Sequence, residues 1–560
     1  MQDARQVQEG LREIAGLLRF AQESKFKIDA YENAAQVVET VGDDLGGRIE
    51  QDRLRELSGI GATLARQIQE LWNSGSSELL ERLRAQHPPG AADLIRVPSM
   101  TPRRIRALYD GLGVTSLEAL LAVCATGQVR SLPGFGEKTE QKLREAAERY
   151  LARKPAAPER LLLSEAGELL ARLQRELGEL GQRLLPAGAL RRGEELVDAL
   201  DAVLVGDPAP LLEALSHLRG VLRIEPEAGR IRLARGVVLR FHPTSSERLG
   251  NGWVRATGSA AHWQGLEARA AARGVSLEAR DFADEQALYA ALGLALVPPE
   301  LRQGRDELEI AAGAGFDDLI ALSDIRGSLH CHTTYSDGRN SVLEMAQAAH
   351  ALGMQYITIT DHSPSAHYAS GVTLERLKAQ WDEIAEAQEK VPIRILRGTE
   401  SDILADGSLD YPDDVLERFD VIIASIHARH RLDRASMTER LRRALSLPLF
   451  KIWGHALGRI LNHRDAIDCD VPALLDALAG SRGAIELNAD AHRLDLPAAW
   501  IPEARRRGIP FVVSVDAHST RGLQALHYGV TQARRGGLQR REVLNTLEAE
   551  AFAARVAPLG

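Results

Sequence analysis

The chain has 560 residues, 44% of them hydrophobic, and a formal net charge of −9 at pH 7. A length of this order predicts several domains, at roughly one per ~150 residues, and the negative charge excludes a uniformly basic nucleic-acid-binding protein. No apolar run is long enough to span a membrane, and no signal-peptide pattern is present at the N-terminus. The three cysteines are too widely spaced for a disulfide framework, so we expect a cytoplasmic protein without membrane contact.

Residues 1–85 are predicted to form a helical domain. Apolar residues recur at spacings of three and four over 7–21, as on one face of an amphipathic helix. The stretch 57–65 then places Gly59 and Gly61 on either side of one apolar residue. Two such glycines permit a tight turn, and the helix after them would offer free N–H groups to a phosphate. This pattern is typical of a helix-hairpin-helix turn, which binds the DNA backbone without reading bases; an ordinary turn between helices is the alternative.

A second turn of this kind lies in the next predicted helical domain, residues 86–152. It contains Gly134 and Gly136, and Lys138 follows at the start of a charged helix. Because the order of apolar residue, proline, glycine pair and lysine matches the motif, we expect DNA contacts here. A third candidate, 97–104, has lost both glycines, and we interpret it as a structural relic.

Residues 160–245 are predicted to form a mixed α/β domain after a short Pro- and Ala-rich linker, 153–159. A long amphipathic helix is predicted over 161–185. It is followed by a glycine-rich turn and a strand-like run, which together contain four charged residues: Arg191, Arg192, Asp198 and Asp201. A further segment, 246–312, holds a Thr-Gly-Ser turn that includes Gly258 and Ser259.

The remaining residues, 325–560, contain seven short strand-like runs separated by segments of mostly helical pattern. Alternation of this kind predicts a parallel sheet, and a closed β/α barrel carries its chemistry at the carboxyl ends of its strands. Six of the seven runs lead into His, Asp or Glu, whereas the run 484–487 leads into Asn488 without an obvious ligand. We therefore predict a seven-stranded barrel with a metal cluster at its mouth.

Nine residues of ligand type make up this predicted cluster. Residues i and i+2 of a strand point the same way, so His330 and His332 would present two imidazoles to one point. Imidazole suits zinc, manganese and iron, carboxylates suit harder ions, and nine ligands suit two or three ions. A core or surface position is the usual role of a single histidine, but twelve of the sixteen histidines fall between 326 and 527. The nine are His330, His332, Asp337, His362, Glu400, His427, His455, Asp516 and His518.

This segment resembles the PHP domain (polymerase and histidinol phosphatase), whose members hold a trinuclear metal site, and all nine residues match its ligand pattern. What precedes it resembles the bacterial family-X DNA polymerases that carry this domain at their C-terminus. The resemblance implies a multidomain α+β protein. It would consist of a helical, helix-hairpin-helix N-terminal domain (1–85), a fingers-like helical domain (86–152), a nucleotidyltransferase-like palm (160–245), a thumb (246–312) and a distorted (β/α)7 PHP barrel (325–560).

The palm departs from this resemblance where polymerase chemistry takes place. Three aspartates of a family palm hold two Mg²⁺ ions. In this chain Ala199 replaces the first of them, Asp201 matches the second and Val238 replaces the third. A register shift that brought Asp198 into place would restore a pair. Without one, we expect nucleotide addition to be lost or very weak and the nucleotide-binding residues to be remnants; these are Arg191, Arg192, Asp201, Gly258 and Ser259.

The resemblance implies a metal-dependent 3′-5′ exonuclease that hydrolyses phosphodiesters of gapped, nicked or 3′-recessed DNA. Manganese is the favoured metal, with zinc or iron as alternatives. The catalytic candidates are Asp337, His362, Arg459 and Arg493. Three other functions stay open: an active gap-filling polymerase that binds nucleotides, a DNA-binding scaffold and a small-molecule phosphatase. The sequence does not fix the oligomeric state, and a monomer is our expectation.

Overall fold

The computed structural model describes most of residues 4–559, in two compact units, Met1–Ala157 and Pro158–Gly560. The gaps are residues 22, 42–44, 51–52, 58, 88–93, 96, 98–99, 153–159, 179–182, 217–220, 226–228, 234–236 and 429–431. The predicted linker 153–159 and part of the third candidate turn lie outside the described residues. The two units are a coarser division than the five predicted domains, whose bounds stay a prediction.

The first unit is built from helices around two hydrophobic cores. Its first helix buries Val7, Leu11, Ile14 and Leu18 along one face, which is the spacing that an amphipathic helix requires. Side chains of Ser77, Thr101 and Ser116 cap helices that begin after them. The helices are Ala4–Phe20, Lys25–Val41, Leu45–Glu50, Ala62–Ser74, Glu78–Gln86, Pro102–Leu112, Leu117–Ala125 and Glu137–Ala152.

The second unit begins with a five-stranded mixed sheet. Its strands are β2 (Arg183–Pro186), β4 (Leu200–Val205), β5 (Val221–Glu225), β6 (Arg230–Leu233) and β7 (Val238–Thr244). Two short strands, β1 (Leu161–Leu162) and β3 (Leu196–Val197), pair separately with each other. The order in the five-stranded sheet is β2-β4-β7-β6-β5, and β4 pairs in parallel with β7 while the other pairs are antiparallel. The helices of this region are Leu163–Gly178, Gly188–Arg191 and Ala209–Ser216.

The predicted helix over 161–185 is shorter than expected. It covers Leu163–Gly178, and Arg183–Pro186 is a strand. Leu184 is buried and pairs with Leu204 of β4. Pairing in the sheet therefore overrides the helical periodicity of the sequence at this end.

A helical segment follows the sheet and is tied back to it through ion pairs. Its helices are Leu249–Thr257, Ala260–Ala272, Glu285–Ala291 and Glu307–Ala312. Glu285 is buried and accepts hydrogen bonds from Arg191, both at 2.7 Å, and from Arg302 at 2.6 Å. Burial alone would raise the pKa of Glu285, but the hydrogen bonds from Arg191 and Arg302 outweigh it and lower the pKa.

The prediction of a seven-stranded C-terminal barrel is confirmed. Its strands are β8 (Gly327–Cys331), β9 (Tyr356–Ile359), β10 (Arg394–Asp402), β11 (Val421–Ser425), β12 (Lys451–Trp453), β13 (Gly483–Asn488) and β14 (Phe511–Ser514). All seven are parallel and are arranged in the order β14-β13-β12-β11-β10-β9-β8. The outer helices are Val342–Ala351, Leu374–Gln388, Asp413–Leu416, Arg434–Leu445, Val471–Ala479, Ile501–Arg506 and Leu526–Arg535.

The barrel is nearly closed, and only one of its ends is open for chemistry. Between the first and last strands, His332 N donates to Ala517 O at 2.9 Å and Val515 N donates to Leu329 O at 3.2 Å. The final helix, Ala549–Val556, covers the end where the strands begin, with Phe552 stacked on Tyr356 at 4.7 Å between ring centroids. The carboxyl ends of the strands are thus left to form the site.

Among the described residues, no single helix is long and apolar enough to cross a membrane; one pair, Arg103–Leu112 and Leu117–Ala125, meets that test only together and is bent by 69°. The cysteines Cys124, Cys331 and Cys469 are all free and buried. Burial raises the pKa of the Cys331 thiol to about 12. This thiol is therefore unreactive at neutral pH despite its position between two histidines.

Replacing Glu285 with alanine is expected to destabilise the second unit. The change leaves two buried guanidinium groups without their carboxylate, which costs about 3–5 kcal/mol in the free energy of unfolding. Since the pKa of Glu285 is lowered on folding, this contribution is present above the ordinary carboxyl pKa and disappears as the pH falls towards the folded value. Urea unfolding of wild type and Glu285→Ala at pH 7 and at decreasing pH measures both effects.

The exposed Glu309→Ala variant is the control for Glu285. It should change the free energy of unfolding by less than about 0.5 kcal/mol. Equal unfolding curves for the two variants at pH 7 would show that the buried ion pairs do not hold the sheet and the helical segment together.

Candidate metal centre

The carboxyl ends of the barrel strands bring all nine predicted ligands into one cup. Their nitrogen and oxygen atoms form four overlapping groups, in each of which the ligand atoms lie within 4.8 Å of one another. The groups are His332, Asp337, His362 and His518; His330, His332 and Asp516; His330, Glu400 and His455; and His362, Glu400 and His427. Because some residues belong to two of these groups at once, the arrangement indicates several neighbouring metal ions.

Glu400, at the end of β10, lies at the centre of the cup. Its two carboxylate oxygens are 2.8 Å from His455 Nε2, 3.0 Å from His362 Nδ1 and 3.2 Å from His427 Nε2. Burial alone would raise the pKa of Glu400, but the surrounding imidazoles outweigh it and hold the pKa well below its usual value. Glu400 is therefore an ionised carboxylate that faces several imidazoles, as a bridging metal ligand would.

Several buried polar atoms in the cup have no hydrogen-bond partner. They are His330 Nε2, His332 Nε2, His362 Nδ1, Glu400 Oε2 and His455 Nδ1. A buried polar atom without a partner costs about 1–3 kcal/mol, so five in one place are unfavourable unless something else binds them. Four of the five lie together, because the nitrogens of His330, His332 and His362 are all within 3.6 Å of Glu400 Oε2. Metal ions fit this donor set, because imidazole nitrogens and carboxylate oxygens are their usual ligands.

The backbone adopts unusual conformations at three of the nine residues. His330, His455 and Asp516 have φ values of 60°, 23° and 50°. Non-glycine residues in this region cost about 1–3 kcal/mol each and persist where the surrounding structure holds them. The strand alternation that predicted a shared direction for His330 and His332 therefore does not describe them, since β8 ends at Cys331 and His330 already departs from strand geometry. Both imidazoles nevertheless reach the cup.

A second set of carboxylates, which the sequence analysis missed, orients the histidines. Glu486 in β13 is fully buried and accepts hydrogen bonds from His330 Nδ1, from the backbone N–H of His455, and from Ser514 Oγ at 2.6 Å. Asp402 accepts from His427 Nδ1 at 2.7 Å. A carboxylate on one ring nitrogen fixes the tautomer of a histidine and directs its other nitrogen to the metal. The strand 484–487 thus contributes through Glu486, inside the strand, rather than at its end.

Asp361 is a further carboxylate that positions the chain near Asp337. It is buried and accepts hydrogen bonds from Thr333 N at 2.7 Å, Thr333 Oγ1 at 2.6 Å and Gln380 Nε2 at 2.7 Å. These contacts hold the loop that leads to Asp337, which stands at the more exposed edge of the cup. Burial opposes ionisation of Asp337, but the hydrogen bond from His518 outweighs it and lowers the pKa to about 2.

The two predicted phosphate-binding arginines occupy different surroundings. Arg493 lies at the cup, with Nε 3.6 Å from Asp516 and 3.7 Å from Asp490. Arg459 instead donates to Glu195 at 2.7 Å, which belongs to the segment before β3, and to the carbonyl of Leu494. The structure therefore places Arg493 among the candidate ligands and engages Arg459 in a contact between the barrel and the segment before β3.

The mixed sheet holds its surviving aspartate among cations. Asp201 is buried in β4 and accepts hydrogen bonds from Arg240 at 2.7 Å and from His242 at 3.1 Å, both on β7. Gly188 packs so closely that a Cβ there would lie 2.3 Å from the carboxylate of Asp201. The side chain of Asp198 is 80% exposed and lies 3.7 Å from Arg160. No described carboxylate joins Asp201 in a candidate metal group.

The remaining predicted nucleotide-binding residues make contacts within the fold. Arg191 binds Glu285 and lies 3.6 Å from the ring centre of Trp253, and Arg192 donates to the carbonyl of Thr257 at 2.7 Å. Gly258 ends one helix, and Ser259 caps the next by accepting from His262 N at 3.1 Å. These positions join the sheet to the helical segment.

Both predicted hairpin turns of the first unit share one arrangement. Gly59 and Gly134 have φ values of 83° and 85°, which favour glycine. Each turn buries its middle residue, Ile60 or Phe135. The flanking glycines, including Gly61 and Gly136, have open space where a side chain would stand, and Lys138 is exposed at the start of the following helix.

Family models match three segments of the chain. The model of the PHP domain matches residues 328–490, that of the SAM-like helix-hairpin-helix tandem matches 91–149, and that of the helix-hairpin-helix domain matches 3–77. The "DNA polymerase/3′-5′ exonuclease PolX" of Bacillus subtilis is 34% identical over 571 aligned residues, which cover 97% of this chain and 98% of the relative. The chain belongs to the family-X DNA polymerase/3′-5′ exonuclease (PolX) family.

Other relatives match a smaller part of this PolX protein. A "probable phosphatase" of Thermoanaerobacter sp. is 25% identical over 229 residues, covering 39% of this chain and 89% of the relative. A "probable phosphatase" of Caldanaerobacter subterraneus is 30% identical over 201 residues, covering 34% of this chain and 74% of the relative. Both matches leave more than half of this chain unaligned.

Replacing Asp402 with asparagine is expected to weaken metal binding without removing a candidate ligand. The amide cannot stabilise the His427 tautomer as the carboxylate does, and loss of such a partner typically costs about 10–100-fold in metal affinity. Equilibrium dialysis against graded Mn²⁺, followed by elemental analysis, measures the change. The exposed Asp382→Asn variant should bind as wild type does. Unchanged affinity in Asp402→Asn would show that His427 does not act as a metal ligand.

Proposed function

We propose that this PolX protein is a metal-dependent 3′-5′ exonuclease whose barrel hydrolyses terminal phosphodiesters of DNA. The observation that carries the proposal is the convergence of nine metal-ligand side chains, with their unpartnered atoms, at the open end of the barrel. Mn²⁺ is the proposed activator because the mixed imidazole and carboxylate set suits it. The nine residues would hold two or three such ions.

Bound metal ions in such a site would activate a water molecule for attack and neutralise charge on the phosphate. The side chains of the protein would orient the metal ligands and bind the phosphate. Glu486 and Asp402 orient His330 and His427 through their outer ring nitrogens. Arg493 adds a fixed positive charge at the cup for the non-bridging oxygens of the phosphate. Asp337 stands at the exposed edge of the cup, where the substrate would enter.

DNA is the proposed substrate because two hairpin turns offer backbone amides suited to phosphates. The open space around Gly59, Gly61, Gly134 and Gly136 allows close approach of a DNA strand. The helices that follow, Ala62–Ser74 and Glu137–Ala152, present backbone N–H groups at their first turns, a common anion-binding arrangement. The DNA polymerase/3′-5′ exonuclease named in Bacillus subtilis supports the direction of digestion, and gapped, nicked or 3′-recessed ends are the proposed forms of DNA.

We further infer that the mixed sheet no longer adds nucleotides. Two Mg²⁺ ions held close together need paired carboxylates to offset their mutual repulsion. Asp201 is instead neutralised by Arg240 and flanked by His242, Ala199 has no carboxylate, and Asp198 points to solvent beside Arg160. The backbone of Gly188 also approaches the Asp201 carboxylate closely. This region then serves as support for the barrel, which it contacts through Glu195, just before β3, and Arg459.

A small-molecule phosphatase is the second candidate function. It is favoured by the relatives that match only part of this chain, which are named probable phosphatases. The barrel geometry alone permits either substrate, since both reactions need attack on a phosphate ester. Release of phosphate from histidinol phosphate, compared with shortening of a 3′-recessed oligonucleotide, separates the two functions.

The assignment of activity to the barrel is tested with two alanine variants. On labelled primer-template DNA with Mn²⁺, wild type should shorten the primer from its 3′ end. His330→Ala should give no product, because His330 belongs to two of the four ligand groups. Asp201→Ala should digest at close to the wild-type rate, because Asp201 belongs to none of the candidate metal groups of the barrel. Gel electrophoresis of the primer provides the readout.

The exposed His350→Ala variant is the matched histidine control and should retain full digestion. With nucleotides added, and with Mn²⁺ or Mg²⁺, no variant should extend the primer. Extension by wild type that Asp201→Ala abolishes would refute the inference about the sheet. Digestion that survives in His330→Ala would refute the assignment to the barrel.

A further inference from the structure

A large aromatic side chain stands exposed at the rim of the candidate metal cup. The side chain of Tyr368 is 68% exposed, and its ring centre lies 5.8 Å from that of His362 and 6.0 Å from that of His427. In the part of the barrel that the structure describes, no other aromatic side chain is this exposed. An exposed tyrosine against two candidate metal ligands is not explained by packing in the core, because most of its surface remains open to solvent.

The loop that carries Tyr368 is held firmly at both ends. Val372 N donates to His362 O at 2.8 Å, and Gly371 N donates to Ala366 O at 3.1 Å. Ser365 Oγ donates to Asp402 at 2.9 Å, the same carboxylate that receives the His427 hydrogen bond. The loop thus fixes the backbone of the tyrosine relative to the candidate ligands, so its ring is presented to the cup from a defined direction.

We propose that Tyr368 is a stacking platform for the nucleobase of the 3′-terminal nucleotide. This inference rests on the proposed exonuclease function and extends it to how the terminal nucleotide is held. Every nucleobase has an aromatic face, so stacking on a tyrosine is tolerant of sequence. The base is joined through its sugar to the phosphate that the cup would bind, and Tyr368 borders that cup directly.

The charges around the rim agree with this placement. The carboxylates of Glu400, Asp402 and Asp337 and the guanidinium of Arg493 lie within electrostatic range of the Tyr368 phenol, and Arg464 does so as well. Carboxylates, cations and an aromatic face thus border the same opening. Cationic side chains suit the sugar-phosphate backbone, and an aromatic side chain suits an unstacked base. A base that stacks on Tyr368 must leave its helical neighbour, which costs least for a mismatched or frayed end. The preferred substrate is therefore a DNA whose 3′ end is unpaired.

The test compares substitutions at Tyr368 on two ends that differ only in the last base. One oligonucleotide ends in a normal nucleotide, and the other ends in an abasic tetrahydrofuran residue. Tyr368→Ala should lower kcat/KM on the normal end by about tenfold or more, whereas its rate on the abasic end should match that of wild type. Tyr368→Phe and Tyr368→Trp should retain wild-type rates on the normal end, because both keep an aromatic face.

Two controls separate stacking from other effects. Leu374→Ala removes an exposed apolar side chain just beyond the same loop and should leave both rates unchanged. The Mn²⁺ content of Tyr368→Ala should equal that of wild type. An equal loss on both ends, or a loss in Tyr368→Phe as large as in Tyr368→Ala, would overturn the proposal, because the ring would then act on the metal site or through its hydroxyl group.

A binding measurement keeps the proposal independent of turnover. An oligonucleotide with 2-aminopurine at its 3′ end is titrated with His330→Ala and with the double variant His330→Ala/Tyr368→Ala. Stacking predicts fluorescence quenching that the double variant loses. If wild type digests no DNA and this quenching is still Tyr368-dependent, the exonuclease function fails while the stacking site stands. Identical quenching in the two variants would overturn the stacking site.

Discussion

The carboxylate of Glu400 and the imidazoles around it are the contact on which the open end of the barrel depends. Five histidines lie within 3.6 Å of this one buried carboxylate, and they come from the ends of four different strands. These histidines are His330, His332, His362, His427 and His455. Such a concentration of polar atoms is unfavourable in a protein interior unless each atom is bound. The barrel supplies outer carboxylates for part of the set and leaves the inner atoms unpartnered, which is the arrangement that metal ions complete.

The mixed sheet holds a buried carboxylate in different surroundings. Asp201 is as buried as several residues of the cup, but Arg240 and His242 satisfy both of its oxygens. A Cβ at Gly188 would lie 2.3 Å from this carboxylate. Glu400 faces five imidazoles, which can bind metal ions, whereas Asp201 faces one guanidinium and one imidazole. This difference is the basis of our inference that the mixed sheet no longer adds nucleotides.

The sequence predicted the barrel, its seven strands and the nine clustered residues, because apolar runs of strand length end repeatedly in ligand-type residues. It did not predict Glu486, since a carboxylate inside a buried strand gives no signal in the periodicity and its partner His330 lies 156 residues away. The contact of Arg459 with Glu195 was missed for the same reason. The helix expected over 161–185 was too long because local periodicity does not register that Leu184 pairs in a sheet.

We infer that this protein retains one metal centre of the two that its family resemblance implies. Anomalous diffraction from crystals grown with Mn²⁺ measures this directly, because it locates each bound ion without reference to activity. We expect two or three peaks within the cup around Glu400 and none beside Asp201. A peak between Asp198 and Asp201, or an empty cup at saturating Mn²⁺, would contradict it.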